Sequence, residues 1–244
     1  VVQQFDTLQE VINIEDIDEW LERSAGIDDM LVDQRIESVE EEDTAFMLFT
    51  SGTTGMPKAA MITQRNMASN LFDCVPVFGM KKEDRYFMPV PLFHAFAVYS
   101  AAIVFYSGAT CVLSGKFILP EILKSISDSA STMICGTPTM FIAILSAAEE
   151  KPEAIQTLKS AFVAGAPCSG SLINQVLANT PIKRISNFFG ATETMMVCMH
   201  HYEEPTEEEI ATCGSAFKDV EIRVINPEDG KEIPFGKPGE MIVR

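Results

Sequence analysis

The segment TSGTTGMPK, residues 50–58, follows directly on the apolar run AFMLF, residues 45–49. Five consecutive apolar residues bounded by turn residues predict a short buried strand. The loop is then expected to leave the end of a sheet with its backbone amides free to face a ligand. Gly52 and Gly55 allow main-chain conformations that a Cβ forbids and let the backbone come close to oxygen atoms. Thr50, Ser51, Thr53 and Thr54 add hydroxyl donors, and Lys58 adds a mobile positive charge. That chemistry suits a polyphosphate. A Walker loop requires Gly-Lys followed by Ser or Thr, whereas Lys58 lies between Pro57 and Ala59, so Walker geometry is excluded. A plain polar connection from strand to helix is the alternative reading, since Gly, Ser and Thr are ordinary loop residues.

The chain of 244 residues is long enough for one large core, and 47% hydrophobic with 22% charged residues excludes disordered and collagen-like classes. The net charge of -17 argues against a nucleic-acid partner, which needs a basic face. Its distribution is uneven: residues 1–43 carry -13, residues 44–202 carry +2 and residues 203–244 carry -6, so the middle stretch is the part suited to an anionic ligand. The acidic runs within residues 1–43 read as a solvated face. Cysteines at 74, 111, 135, 168, 198 and 213 form no CxxC pair and no metal-type spacing. With no signal peptide in view, they are expected to be reduced thiols of a cytoplasmic protein, and Cys168 reads as a small hydrophobe rather than a catalytic thiol. From Tyr86 to Gly115 there is no charged residue, but prolines, His94, Tyr99, Ser100, Tyr106, Ser107 and Gly108 interrupt the run. Buried strands around a core helix are expected there, not a membrane span.

Residues 44–200 alternate strand-like and helix-like patterns, which predicts an α/β fold of layered sheets flanked by helices. Helices are expected at 66–77, 96–107, 120–129, 138–148 and 170–178, and strands at 85–90, 109–113, 132–135, 160–164 and 182–188. A helix is expected around 16–24 with Trp20 and Leu21 as its apolar anchors. Beyond the EEPTEEE run at 203–209, the pattern Val220, Ile222, Val224 and then Met241, Ile242, Val243 predicts two strands that begin a β-subdomain. The expected organisation is an α/β nucleotide- and acyl-binding region over 1–204 and the start of a β-barrel-like subdomain over 205–244.

Three further segments carry chemistry. PVPLFHAFA, 89–97, places His94 at a strand end among aromatics, either as a satisfied core histidine or as a pocket residue. VAGAP, 163–167, is a tight turn and a weak signal by itself. NFFGATE, 187–193, sets an aromatic, a glycine, a hydroxyl and a carboxylate in sequence. An aromatic face packs on a base, Gly190 permits close approach, Thr192 donates to an anion, and the Glu193 carboxylate suits Mg²⁺ or, alternatively, caps a helix.

TSGTTGMPK and NFFGATE together resemble the signatures of the adenylate-forming superfamily, most closely its acyl-CoA synthetases. GTPTM at 136–140 and GKPGEMIVR at 236–244 are similar to architectural segments of the same family. The resemblance implies ATP-dependent activation of a carboxylic acid to an acyl adenylate and transfer to coenzyme A. By the same resemblance, ATP or AMP is held by Thr50, Ser51, Gly52, Thr53, Thr54, Gly55 and Lys58, by Gly165, Ala166 and Pro167, and by Asn187, Phe188, Phe189, Gly190, Ala191 and Thr192. The acid is bounded by His94, Phe96, Gly165 and Gly190, Mg²⁺ is held by Glu193 and Thr53, and Lys58, Thr192 and Glu193 act in catalysis. A fatty or aromatic acid is favoured. A peptide-synthetase adenylation domain and a non-catalytic nucleotide-binding module stay open as alternatives.

The chain departs from the family pattern at Ala97, Ala164 and Phe189, where glycine, glycine and tyrosine are usual, and a PxPG-like segment is replaced by Ala216-Phe217-Lys218-Asp219. The family's ribose-binding aspartate, hinge and small domain with its catalytic lysine would follow Arg244. An N-terminal part of the large domain would also need more than residues 1–43. A fragment that binds nucleotide weakly and does not complete turnover is therefore expected.

Overall fold

The computed structural model describes residues 13, 15, 17–50, 56–202, 206, 209 and 212–244. The chain divides into two compact units between Asp43 and Thr44. The first holds α1, Ile17–Glu22, and α2, Asp29–Glu37. Asp28 caps α2 by accepting from the Met30 amide at 3.0 Å. Neither helix buries a residue, so Trp20 and Leu21 are exposed and not the expected apolar anchors. The mixed composition of α1, with acids at 18, 19 and 22, gives it no apolar stripe wide enough to bury.

The second unit begins with an antiparallel hairpin, β1, Thr44–Thr50, and β2, Lys58–Thr63, paired from Thr44↔Thr63 to Thr50↔Lys58. The buried strand expected at 45–49 is corrected here. β1 forms a two-stranded ribbon in which Leu48 is its one buried residue, while Met47 and Phe49 are exposed. An unbroken apolar run does not report whether a second layer covers it. The loop likewise leads into β2 before any helix. Thr63 then starts α3, Gln64–Phe78, through a reciprocal cap: its hydroxyl accepts from the Asn66 amide at 3.2 Å and Asn66 Oδ1 accepts from the Thr63 amide at 3.1 Å. Gly79, at φ 61°, closes the helix in the left-handed region.

From there strands and helices alternate as expected: β3 (Arg85–Met88), α4 (Ala95–Tyr106), β4 (Thr110–Leu113), α5 (Leu119–Asp128), β5 (Met133–Gly136), α6 (Pro138–Glu150), a 3₁₀ turn at Pro152–Ile155, β6 (Ser160–Val163), α7 (Gly170–Asn179) and β7 (Arg184–Ala191). β8 (Met195–Tyr202) and the short β9 (Ser215–Ala216) complete a seven-stranded sheet of order β4-β3-β5-β6-β7-β8-β9. The first five are parallel and the last two pairings are antiparallel. β10 (Ile222–Ile225) and β11 (Glu240–Val243) form a separate antiparallel hairpin.

Period-two alternation along the strands builds two cores. Tyr86, Met88, Met133, Cys135, Phe162 and Phe188 face α3 and α4, with Phe78 stacked on Phe162 at 4.5 Å between centroids. Phe87, Ile134, Ala161, Val163 and Ile185 face the other way, where Ile122, Phe141 and Ile173 of α5, α6 and α7 cover them. Each fully buried large side chain stabilises by about 1.5–3 kcal/mol. The product is the layered α/β architecture, helices on both faces of a mostly parallel sheet, and the loops at the carboxyl ends of β3, β6 and β7 open on one edge. No described helix is long and apolar enough to cross a membrane, and Tyr86–Gly115 is β3, α4 and β4.

Candidate functional site at the carboxyl ends of the strands

A cavity of about 740 Å³ opens at that edge. It is lined by Thr50, His94, Gly165, Ala166, Pro167, Cys168, Thr212, Cys213 and the continuous run Asn187–Glu193. A smaller cavity of about 60 Å³ shares His94, Gly165, Phe188 and Gly190–Thr192, and adds Phe96, Tyr99, Met195 and Met196. The residues expected to bound the acid thus surround the inner cavity, and most of those expected to meet nucleotide surround the outer one.

Each wall has a local cause. His94 precedes α4 and caps it, its Nδ1 accepting from the Phe96 amide at 3.2 Å. That bond leaves Nε2 to carry the hydrogen of the neutral ring. His94 is exposed at the cavity rim, so the core-histidine alternative falls. Phe96 is buried edge-on against Phe188, 5.0 Å between centroids, which fixes two aromatics of the inner cavity. Gly165 turns the chain out of β6 at φ 82°, a conformation that favours glycine.

The β7–β8 hairpin supplies the rest. Its register slips between Phe189 and Gly190. A Cβ on Gly190 would sit 2.0 Å from the Met195 carbonyl oxygen, so the two backbones meet where only glycine fits. Met195 is buried with φ 59°, a non-glycine residue held in the left-handed region. Asn70 of α3 braces it from behind: Nδ2 donates to the Met196 carbonyl at 2.8 Å and Oδ1 accepts from the Met196 amide at 3.4 Å. Tyr99 of α4 donates its hydroxyl to the Thr192 carbonyl at 3.2 Å. Burial, with the Glu193 charge second, pushes the Tyr99 phenol up to about 12, so it stays a donor. Tyr99 of α4 thus holds the turn at Thr192 and Asn70 of α3 holds the strand just beyond it at Met196, while Phe189 lines the outer cavity with an exposed ring.

Glu193 accepts from the Thr50 hydroxyl at 3.4 Å, which brings the start of the glycine-rich segment to the end of NFFGATE across 143 residues of sequence. Ser51–Gly55, and with them Thr53, lie outside the described residues. Lys58 sits exposed at the head of β2 and lines neither cavity. Among the described residues Glu193 is the one acidic residue lining the outer cavity, and no three His, Cys, Asp or Glu side chains gather around a point. Mg²⁺ is commonly held by one or two carboxylates together with substrate phosphates, so this donor set fits Mg²⁺ and not a zinc-type cage.

Sequence reasoning missed Asn70, Tyr99 and β8. The apolar stretch Met195–Met199 was the available signal for β8. Cys168 lines the cavity partly buried, and burial pushes its thiol up to about 11, which keeps it unreactive. The Ala216–Asp219 segment, where the chain departs from the PxPG-like pattern, has a packing role. Phe217 is buried in the α3/α4-side core, and the Asp219 amide donates to Asp73 at 3.0 Å.

The sequence matches the AMP-binding enzymes over residues 2–244. It is 32% identical over 203 residues to the human mitochondrial medium-chain acyl-CoA ligase ACSF2, covering 80% of this chain and 33% of that protein. To the 4-coumarate–CoA ligase-like 4 of Oryza sativa subsp. japonica it is 27% identical over 215 residues, covering 86% and 39%. Among solved structures, MatB from Rhodopseudomonas palustris bound to ATP superposes with a TM-score of 0.74 at 26% identity, covering 84% of this chain and 40% of that one. The O-succinylbenzoate coenzyme A synthetase MenE from Bacillus subtilis, in complex with ATP and magnesium ion, gives 0.73 at 25% identity, covering 84% and 42%. This chain therefore spans roughly a third to two fifths of the length of those proteins. Signatures, fold and family match agree, and the chain belongs to the family of AMP-binding enzymes.

Proposed function

We propose that the protein activates a carboxylic acid with ATP and passes the acyl group to coenzyme A, acting as an acid–thiol ligase on a fatty or aromatic acid. The observation that carries this reading is the meeting of Thr50 and Glu193 at the mouth of a cavity wide enough for a nucleotide and continuous with His94 and Phe96. In the first step the acid's carboxylate attacks the α-phosphorus, a P–O bond to pyrophosphate breaks, and an acyl adenylate forms. In the second the thiol of coenzyme A attacks the acyl carbon and AMP leaves.

The protein's part is positioning and neutralisation of developing charge. Thr50–Gly55 and Lys58 would hold the β- and γ-phosphates, with charge-assisted bonds contributing roughly 1.5–3 kcal/mol each. Phe189 would lie against adenine between Gly165–Pro167 and Asn187. Thr192 would donate to the α-phosphate and the acid, held at its carbonyl by Tyr99. His94 would present Nε2–H toward the acid, while Phe96 and Phe188 exclude water from its apolar end. Glu193, with Thr53, would hold Mg²⁺, which when bound supplies positive charge to the phosphates. In this division of labour the unit from residue 44 through β9 would bind nucleotide and acid, and β10 and β11 would open a β-subdomain.

The test is Glu193→Ala. Its side chain is exposed, so folding is expected to be intact, and Mg-dependent pyrophosphate exchange by the full-length protein is expected to be lost. Unchanged exchange would sink the assignment. Calorimetry of the 244-residue chain with Mg-ATP and AMP measures the nucleotide site directly.

A further inference from the structure

Two thiols that lie 15 residues apart in sequence meet beside the outer cavity. Cys198 of β8 and Cys213 have their sulfurs 3.4 Å apart. The main chain enforces this. Cys198 is in register with Ala216 of β9, and Gly214, at φ 92°, brings its backbone against β8 so closely that a Cβ there would lie 2.0 Å from the Met199 carbonyl oxygen. Cys213 is thereby held over Cys198 by the glycine contact at the next residue and the strand pairing just beyond it. Their surroundings differ: Cys198 is buried, while Cys213 is exposed and lines the cavity. Burial, and then the neighbouring Cys213, push the Cys198 thiol up to about 12, so it waits protonated. Cys74 and Cys135 are both buried, Cys74 with its thiol on Asn70 Oδ1 and Cys135 beside Tyr86 and the half-buried Cys111, so neither is open to an oxidant as Cys213 is.

We propose that Cys198 and Cys213 form an oxidisable dithiol site that closes to a disulfide on reaction with a peroxide. The exposed Cys213 meets the oxidant. Its sulfur attacks one peroxide oxygen, the O–O bond breaks, a sulfenic acid forms on Cys213 and one water leaves. The Cys198 sulfur then attacks the Cys213 sulfur, the S–O bond breaks, and the Cys198 proton departs with the hydroxide as a second water. Two thiols are oxidised by two electrons and one hydrogen peroxide is reduced to two waters. The sulfurs need to close only from 3.4 Å to the roughly 2.05 Å of a disulfide. The bond would join the rim segment at 212–213 to β8 directly opposite Phe189, with which Cys198 is in register. A ligand filling the cavity would shield Cys213; this corollary alone rests on the nucleotide reading above.

The experiment is peroxide treatment of the chain followed by cleavage at glutamate and non-reducing mass spectrometry. No Lys or Arg lies between the two cysteines, whereas glutamates at 203, 204 and 207–209 separate them. A Cys198–Cys213 linked pair two hydrogens lighter than the free peptides, formed at least about tenfold faster than loss of the Cys74 and Cys135 thiols and reversed by dithiothreitol, is expected. C198S is expected to leave a dimedone-reactive sulfenic acid on Cys213. Persistence of both free thiols, or pairing of either with a different cysteine, overturns the site. AMP is expected to slow the linkage. If the disulfide forms and AMP does not slow it, the dithiol stands and the nucleotide reading of the cavity falls.

Discussion

Two antiparallel hairpins carry the two signature segments, and they are built in opposite ways. The β1–β2 ribbon is closed on itself, with Leu48 and Ile62 its buried residues and Met47, Phe49 and Met61 exposed. The β7–β8 hairpin is the fifth and sixth member of a seven-stranded sheet, with Phe188 and Met195–Met199 all buried. Its turn is defined by a glycine contact, a left-handed methionine and bonds from two helices. The comparison separates two ways of presenting polar groups to a ligand. At Thr192 and Glu193 the sheet pairing, the Gly190 contact and the Tyr99 bond set the backbone geometry. At the glycine-rich segment the sequence supplies donors from a two-stranded ribbon whose described residues give Leu48 and Ile62 to the core.

That contrast is open to direct attack. The largest expected effect is alkaline. Cys74, Cys135 and Cys198 have thiols pushed to about 12 from an ordinary 9, and Tyr99 a phenol pushed to about 12 from 10, chiefly by burial; none lies on β1–β2. The folded state keeps these protons while the unfolded chain releases them, so stability is full below pH 9 and is lost as pH rises toward 12. For a marginally stable domain this suffices for unfolding. Chemical denaturation that shows constant stability from pH 9 to 12 would contradict the burial on which the sheet side depends. Next, Gly190→Ala drives a methyl into the Met195 carbonyl and is expected to cost about 3 kcal/mol or more in urea unfolding. A smaller loss comes from Asn70→Ala, which removes both bonds to Met196 and should cost about 1–3 kcal/mol while moving Met195 and Met196 in an NMR spectrum. Smallest is Phe49→Ala on the ribbon, 75% exposed, for which a change within about 0.5 kcal/mol is expected. A large loss there would mean that the ribbon is packed after all.

Those same hairpins mark what the sequence could reveal. The parallel strands and their helices were legible because each is a short apolar run punctuated by Gly, Pro or Ser: Met133–Gly136 before Pro138, and Ser160–Val163 before the Gly165 turn. Helix ends were legible to within a few residues, and the Thr63–Asn66 cap extends α3 two residues ahead of the expected start. β1 misled because burial is a property of what lies across from a strand, which the run Ala45–Phe49 does not encode. β2 was missed because Lys58–Thr63 is rich in small residues with weak strand preference. Within the site, Thr192 and Glu193 were legible from NFFGATE. Asn70 and Tyr99 were not, since a single polar residue in a helix says nothing about which distant backbone atom it will meet. The Cys198–Cys213 encounter was hidden for the same reason.

The strand order has a consequence for assembly. Each parallel pairing from β3 to β7 must wait for a crossover helix to bring distant segments together, and the entropy of that closure opposes early pairing. β7 and β8 are joined by the three residues 192–194, the shortest connection in the sheet. Local pairings form fastest, so the strand pair that holds Thr192 and Glu193 is the natural first piece of the sheet to zip, and β6, β5 and β3 add to an edge already shaped by the Gly190 contact.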